Sequence, residues 1–273
     1  MVKKRVIYLL KQLVCITLSV IVIAPFYLVF VNSFKTKNEA ARMNLSWPKE
    51  WLFSNYLVVI KEGNLIQGFS NSFLYAFVSA AVGVIICAMA AFVIKRRKSK
   101  LTRRIYYLII CGFFFPVNFV TLLRIFNFIG IANTRLGVII AFISGMIPFC
   151  IFTIGNFVNS IPVEIDEAAV IDGANGLLLF FRIIMPLLMP VLITTFLLQF
   201  MGVWSDFMTP LYLSSTSKMW PMNLAVYNFF GKMTSNWQYV FADIILTCLP
   251  VVTVYFIGQK YIISGLTSGS VKQ

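Results

Sequence analysis

The sequence contains no histidine and is poor in charged residues. Without histidine, the commonest metal ligand and general base of proteins is missing, so a histidine-based catalytic triad is excluded. Charged residues occupy 12% of the chain, whereas a soluble domain carries roughly a quarter. The cysteines lie in apolar stretches without paired spacing, which indicates small buried side chains rather than disulfides or metal ligands. They are Cys15, Cys87, Cys111, Cys150 and Cys248.

Apolar residues dominate the chain instead. Hydrophobic residues make up 60% and aromatic residues 16% of the sequence, and the mean hydropathy is +0.88. A water-soluble core cannot enclose that much apolar surface, so the surrounding solvent must be largely lipid. A length of 273 residues suits one membrane domain and leaves no room for a separate soluble catalytic domain. The sequence therefore predicts an all-α, polytopic transmembrane helical bundle.

About six apolar runs are long enough to cross a bilayer. The first is much longer than the apolar part of a signal peptide, which is about 7–15 residues, so it is interpreted as a spanning helix. Pro116 interrupts the third run. The predicted spans are 6–34, 69–94, 105–124, 136–157, 183–203 and 239–263, with a loop at 158–182 and a tail at 264–273.

The positions of lysine and arginine predict the orientation. If the N-terminus is cytoplasmic, then the largest basic cluster, residues 95–104, lies in a short cytoplasmic loop, where the positive-inside bias is strongest. Both termini are then cytoplasmic. The formal net charge of +14 is thus a signal of topology, and no nucleic-acid partner is expected.

The loop at 158–182 differs chemically from the other predicted cytoplasmic segments, because it is acidic. We expect Ser160 to cap a short helix and Pro162 to lie in its first turn. The acidic residues would complement the positive end of the helix dipole. These residues are Glu164, Asp166 and Glu167, with Asp172 beyond them.

Small residues in the same loop predict its shape. Ala168 and Ala169 would leave a low helix face that another surface can approach closely. Gly173 and the pair Asn175-Gly176 favour a turn before a second helical stretch at 177–184. The pattern favours a short helix–turn–helix along the membrane face, and the alternative is a juxtamembrane linker with well-capped ends.

The same residues carry a family resemblance. They resemble the EAA loop of permease subunits of bacterial ABC importers, and in particular the carbohydrate-uptake branch, whose loops run EAA-x-x-DGA, then F-x-x-I, L-P and a second proline. Met185 here replaces the leucine before the first proline. Residues 204–211 are similar to the WN(D/E)F…PL segment of that branch, with serine for the usual asparagine, and 250–259 to its last helix. Residues 265–272 are similar to the GL-x-x-GAVKG ending of MalG-like permeases, with serine for alanine and glutamine in place of the last glycine. The matching loop residues are Glu167, Ala168, Ala169, Asp172, Gly173, Ala174, Phe180, Arg182, Ile183, Pro186 and Pro190.

The resemblance implies a MalG-like permease subunit in the bacterial plasma membrane, and not an enzyme. Such a subunit pairs with a second, MalF-like permease to form the pore, above two ATPase subunits, and receives sugar from an extracellular solute-binding protein. The EAA helix, with Glu167, Ala168, Ala169, Asp172, Gly173 and Ala174, would dock into an ATPase cleft. Tail residues Gly269, Ser270 and Val271 would insert between the two ATPases.

This chain has no GxxxxGK(S/T) sequence, so ATP and magnesium are expected on the partner ATPases and no cofactor on the chain itself. The substrate-binding residues stay unknown. Asp206 and Asp243 are candidates because ionisable groups near the membrane are often functional, although both are compatible with a position at the headgroup boundary. Aromatic residues could stack on sugar rings, but with 16% aromatic content packing or lipid contact is the favoured interpretation. The residues considered are Phe114, Phe115, Tyr212 and Tyr227.

Three other functions compete with sugar import. The sequence hardly distinguishes a sugar importer from an importer for another polyol or a sugar phosphate, such as glycerol phosphate. An intramembrane enzyme would need a polar catalytic constellation inside a span, and neither histidine nor a carboxylate pair is present there. A secondary transporter would need more spans or buried coupling-ion sites, and the apolar runs show no convincing internal repeat.

Overall fold

The computed structural model describes residues 2–97, 99–229 and 236–268. These residues form helices joined by short turns, with no strand among them, and the predicted all-α class is confirmed. The α-helices in chain order are α1 Val2–Ser33, α2 Lys37–Ala40, α3 Ser54–Glu62, α4 Leu65–Arg96, α5 Lys100–Cys111, α6 Phe119–Phe128, α7 Arg135–Val158, α8 Val163–Ile171, α9 Gly176–Leu178, α10 Met185–Ser205, α11 Met208–Leu213 and α12 Trp237–Ser268.

Five helical segments of the described chain are long and apolar enough to cross a membrane. Their ends extend the predicted runs by a few residues at most positions; Trp204, for example, lies inside α10 and not in the following loop. Helical backbone satisfies its own hydrogen bonds, which lipid cannot do. The segments are Leu10–Ser33, Leu65–Arg96, Arg135–Val158, Gly176–Ser205 and Trp237–Ile262.

The predicted third span at 105–124 is not one helix. Helix α5 ends at Cys111, a single 3₁₀ turn follows at Gly112–Phe114, and α6 begins only at Phe119. Pro116 lies in the gap, where its ring and missing N–H group prevent a continuous helix. Asn118 then caps α6, because its side chain accepts a hydrogen bond from the Thr121 amide at 3.0 Å.

The first part of the broken segment, α5 and the 3₁₀ turn, packs against α7. Beside the C-terminal end of α7, Phe113 contacts Phe152 with 6.3 Å between ring centroids. Gly112 lies against Pro148 near the middle of α7. Beyond α6, the turn that leads to the start of α7 is fixed by a hydrogen bond from the Asn133 amide to the Leu213 carbonyl. The residues that the sequence assigned to one span are thus divided between α5, the 3₁₀ turn and α6.

The described chain forms two compact units. The first is drawn from Met1–Ile66 and Met222–Leu249. Most of the described apolar side chains of α1, from Tyr8 onward, are exposed, as expected for contact with lipid or another subunit. Just after α1, the buried Lys35 ammonium donates to the Asn32 side chain and to the carbonyl and side chain of Asn44, at 2.7–3.1 Å. Burial lowers the pKa of Lys35, although Glu39 opposes that shift.

The second unit comprises Gln67–Pro221 and Pro250–Gln273, and its centre is the packing of α7 against α10. Glycine permits close approach at the start of α7, where a methyl group on Gly137 would overlap the Ile131 carbonyl oxygen. The Gly137 amide donates to the Thr134 hydroxyl at 3.0 Å, which caps the helix. By contrast, Gly145 in the same helix has nothing within 4 Å of an added methyl group.

These two glycines give a matched stability test. Gly137→Ala is expected to lower the free energy of unfolding by about 1–3 kcal/mol, because the clash is with backbone and cannot be relieved by a rotamer change. Gly145→Ala should raise it by up to about 1 kcal/mol, since alanine is the better helix former. Thermal unfolding of the detergent-purified chain measures both, and equal midpoints for the two variants would contradict the packing at Gly137.

Candidate coupling loop

The acidic loop contains a helix whose N-cap lies two residues later than the predicted cap. Helix α8 begins at Val163, with Pro162 in the N-cap position, so no side chain caps it. The prediction that Ser160 caps this helix is wrong, because its hydroxyl donates back to the Phe157 carbonyl at 2.7 Å. Glu164 and Asp166 do lie in the first turn, where the helix dipole favours negative charge.

The end of α8 depends on Gly173. This residue has φ of +86°, a left-handed conformation that other residues adopt at a cost. Its amide donates to the Val170 carbonyl at 3.0 Å, and the next amide, Ala174, donates to the Ala169 carbonyl at 2.9 Å. This pair of bonds is a Schellman motif, which satisfies carbonyl groups at the helix end. The predicted turn therefore lies where Gly173 permits it, and Asn175 caps α9 by accepting from the Leu178 amide.

The outer face of α8 carries both charge and apolar surface. Glu164, Glu167 and Asp172 are exposed. So are Val170 and Ile171, with 59% and 84% of their surfaces accessible. Such exposure of large apolar side chains next to carboxylates is typical of a surface that another protein covers.

The two alanines of the loop do not share that outer face. Ala168 is exposed, but Ala169 is only 5% exposed. The prediction that both admit an approaching surface is therefore wrong for Ala169. The small Ala169 side chain is enclosed by this chain itself, on the side of α8 that packs against the helical turn Leu179–Ile184.

An ion pair joins α8 to the end of α4. The Arg96 Nε atom lies 2.6 Å from Asp166 Oδ2, and both side chains are largely buried, at 16% and 13% exposure. The Arg96 Nη2 group also donates to the Ile161 carbonyl at 3.0 Å. The guanidinium thus holds both the first turn of α8 and the backbone just before it. The sequence predicted this basic cluster only as a topology signal, since nothing local pairs residues 70 positions apart.

A second contact joins the other end of the loop to the same helix. Phe92 lies one turn before Arg96 on α4, and its ring centroid is 5.8 Å from that of Phe180. Phe180 is 4% exposed. Both ends of the loop are thus fixed to the last turns of α4, by an ion pair on one side and by an aromatic contact on the other.

The loop continues directly into a membrane span. The turn Leu179–Ile184 is π-helical, and α10 follows at once. Pro186 explains the wide turn, because it has no amide hydrogen to donate to the Arg182 carbonyl four residues earlier, whereas Pro190 lies within α10. The predicted second helical stretch therefore belongs to the 30-residue segment Gly176–Ser205.

The other candidate residues take separate positions. Asp206 accepts hydrogen bonds from the Thr209 amide and hydroxyl at 2.9 and 3.0 Å, so it fixes the start of α11. Asp243 is 1% exposed within α12. Tyr212 stacks on Phe119 at 4.9 Å between centroids, whereas Phe114 and Phe115 are 80% and 75% exposed. The tail residues Gly269, Ser270 and Val271 lie outside the described residues.

A cavity of about 510 Å³ lies between α7 and α10, and α6 and the start of α11 also contribute to its wall. Gly145 and Gly202 leave its wall open, since neither has an atom within 4 Å of an added methyl group. Polar groups are contributed by Ser144, Gln199 and Asp206. The wall combines smooth apolar surface with a few hydrogen-bonding groups, as ligand-binding surfaces do.

Comparison with known proteins agrees with this architecture. Residues 83–268 match the family model of the binding-protein-dependent transport system inner membrane component. The chain is 31% identical, over 94% of both lengths, to the probable starch degradation products transport system permease protein AmyC of Thermoanaerobacterium thermosulfurigenes. It is also 31% identical to the diacetylchitobiose uptake system permease protein NgcG of Streptomyces coelicolor, over 92% of this chain and 85% of that one.

A similar fold is known from a solved structure. It belongs to a bacterial ABC transporter involved in the import of the acidic polysaccharide alginate. The TM-score is 0.83 at 20% identity, and the match covers 95% of this chain and 97% of that one. At this identity the likeness concerns the fold.

The ion pair at Arg96 can be tested without any transport assay. Arg96→Gln and Asp166→Asn should each speed amide hydrogen exchange in α8, because either change leaves a largely buried charge without its partner. The free energy of local unfolding of α8 should fall by about 1–3 kcal/mol, which corresponds to exchange faster by about fivefold to a hundredfold. Glu164→Gln, an exposed carboxylate of the same turn, is the control and should change exchange far less. Equal protection in all three variants would show that the pair does not hold α8.

Proposed function

Since this chain belongs to the family of binding-protein-dependent transport system inner membrane components, we propose that it is the membrane-spanning permease subunit of an ATP-driven sugar importer. The observation that carries this proposal is the loop at 158–182, in which the EAA residues form an exposed helix fixed to a membrane span. The chain is a multi-pass membrane component of a transport system and not an enzyme.

The names of the relatives support a carbohydrate substrate. AmyC is named for starch degradation products and NgcG for diacetylchitobiose, and both match nearly the whole chain. The cavity at Gly145 and Gly202 suits such a substrate, because sugars combine flat apolar faces with many hydroxyl groups. We propose it as this chain's part of the translocation path. An importer for another polyol or a sugar phosphate, such as glycerol phosphate, is the alternative.

The geometry of the loop supports a coupling role. An ATPase cleft with an apolar floor would receive Val170 and Ile171, and basic groups at its rim would pair with Glu167 and Asp172. Closure of the ATPases would then move α8, and the contacts of Arg96 and Phe180 would pass this movement to α4. Allosteric coupling of this kind needs an element with two positions that nucleotide binding biases.

The remaining partners follow from the same proposal. A second, MalF-like permease would complete the pore, two ATPase subunits would bind ATP and magnesium, and an extracellular solute-binding protein would deliver the sugar. Both termini would be cytoplasmic, so that tail residues Gly269, Ser270 and Val271 could insert between the ATPases. The basic residues that follow α4 support this orientation.

Co-purification tests the proposed assembly. When the tagged chain is isolated from its native membrane in mild detergent, a second permease and an ATPase are expected to accompany it. The complex should hydrolyse ATP faster when the loaded solute-binding protein is added. A stable homo-oligomer that transports sugar without any ATPase would contradict the proposal.

Gly173 gives a sharper test of coupling. Gly173→Val places a β-branched side chain at φ +86°, which costs about 1–2 kcal/mol, so the loop should lose its docking shape. We expect at least about tenfold slower sugar uptake, with the assembled complex still in the membrane and still hydrolysing ATP. Gly176→Val is the matched control, because Gly176 has ordinary helical φ and open space around it, and uptake should stay nearly unchanged.

Loss of membrane insertion in Gly173→Val would be a folding defect rather than uncoupling, and quantifying the chain in the membrane separates the two. Unchanged uptake in that variant, with normal amounts of protein, would contradict the coupling role of the loop.

A further inference from the structure

A basic cavity of about 580 Å³ lies beside the coupling loop, between the end of α4 and the first half of α5. One cation at the end of α4, one just after that helix and two of α5 line it, together with hydroxyl groups and two tyrosine rings. These residues are Lys95, Arg97, Lys100, Arg103, Tyr106 and Tyr107. The ion pair and hydrogen bond that attach α8 come from Arg96 instead.

The cavity is built around one fixed cation. The stem of Lys95 packs on Gly155, where an added methyl group would lie 2.8 Å from the lysine Cε atom. Its ammonium group lies 3.9 Å from the centroid of the Tyr106 ring, within the range of a cation–π contact. The lysine head is therefore held at the wall of the cavity instead of extending into water.

Helix α5 contributes positive charge to the cavity in two ways, through side chains on one face and through its N-terminal end. Lys100, Arg103 and Tyr107 follow each other at helical spacing, so they share a face. The Ser99 hydroxyl accepts from the Thr102 amide at 3.1 Å and caps the N-terminus of this 12-residue helix. The positive end of the helix dipole therefore points to the same place as the side-chain cations.

In the described part of the chain, no carboxylate lies within ion-pair distance of the cations that line the cavity. The sequence has no aspartate or glutamate between Glu62 and Glu164. In the part of the chain that the structure describes, the one ion pair within 4.0 Å is Arg96–Asp166. The cations of the cavity thus have no anionic partner within that part, and an external anion would complete the site.

The surroundings indicate which anion. Leu101, Tyr107 and Leu108 beside the cavity are 67%, 60% and 75% exposed. The cavity also lies at the end of the apolar segment Leu65–Arg96, the depth at which lipid headgroups meet a spanning helix. An anion that carries apolar chains would bind the charged cavity and also cover the exposed leucines. A free anion would bind the charged cavity and leave the leucines exposed.

We propose that this cavity binds the phosphate-bearing headgroup of an anionic membrane lipid, with the acyl chains against Leu101 and Leu108. Basic pockets between spanning helices recognise such headgroups, and each Lys or Arg contributes about fivefold in binding. The site is independent of the sugar assignment, since it rests on contacts within α4, α5 and α7.

The test compares two adjacent arginines. Both side chains are exposed, but Arg103 lines the cavity and Arg104 does not. The variants Arg103→Gln and Arg104→Gln therefore each remove one charge from α5. For the full chain in detergent, titrated with phosphatidylglycerol, lipid retention is followed by native mass spectrometry and the shift in unfolding temperature. We expect about fivefold weaker binding in Arg103→Gln and little change in Arg104→Gln.

Lys100→Gln provides a second cavity variant in case Arg103→Gln folds poorly, and it should also weaken binding. Equal losses in the Arg103 and Arg104 variants would overturn the proposal, because they would show only a diffuse attraction of basic residues to the membrane surface. Equal retention of phosphatidylcholine would overturn the preference for an anionic headgroup. Stabilisation by inorganic phosphate at the same concentration as the lipid would show that the source is a free anion and would overturn the lipid assignment.

Discussion

A loop can move a membrane helix only if it is firmly attached to it, and here the attachment is the contact of Arg96 with Asp166 and the Ile161 carbonyl. On an exposed surface such a pair would contribute about 0–1 kcal/mol. In this chain both side chains are largely buried and the guanidinium also binds backbone, so the pair fixes the position of α8. A buried ion pair often contributes geometry more than net stability, because desolvation offsets much of the attraction. The Phe92–Phe180 contact adds an apolar fixed point one turn away.

Local signals in the sequence predicted most of the helices and the turn of the loop. Long apolar runs give spanning segments because lipid leaves few alternatives for the backbone, and Gly173 lies at the left-handed position that the pattern required. Errors arose where a choice depends on packing. Ser160 bonds to the preceding helix rather than capping the next one, and Ala169 faces its own chain rather than a partner. The spacing of residues in the sequence does not predict either of these contacts.

Contacts between distant residues were beyond prediction for a different reason. The pairing of Arg96 with Asp166 links the end of a helix to a loop 70 residues later. Several neighbouring cations follow one another in the sequence, and nothing in the sequence shows which of them pairs with that carboxylate. The fold selects Arg96 because this residue follows Phe92 by one helical turn, on the face of α4 that meets the loop. The break at Pro116, by contrast, could be predicted from the residue itself, because the ring and missing amide hydrogen of proline weaken a helix locally. In the structure Pro116 lies in the gap between α5 and α6.

The division of charge within the loop has a consequence for its partner. Of its four carboxylates, Asp166 is neutralised internally, whereas Glu164, Glu167 and Asp172 face outward beside Val170 and Ile171. Because exposed carboxylates stay hydrated until the partner arrives, they can direct its approach and orientation, while burial of the apolar pair supplies affinity. A partner that matched only the charges would bind weakly and dissociate in salt. One that matched only the apolar residues would bind in several registers. If the proposed ATPase covers this mixed surface, its cleft would need a defined shape and a basic rim.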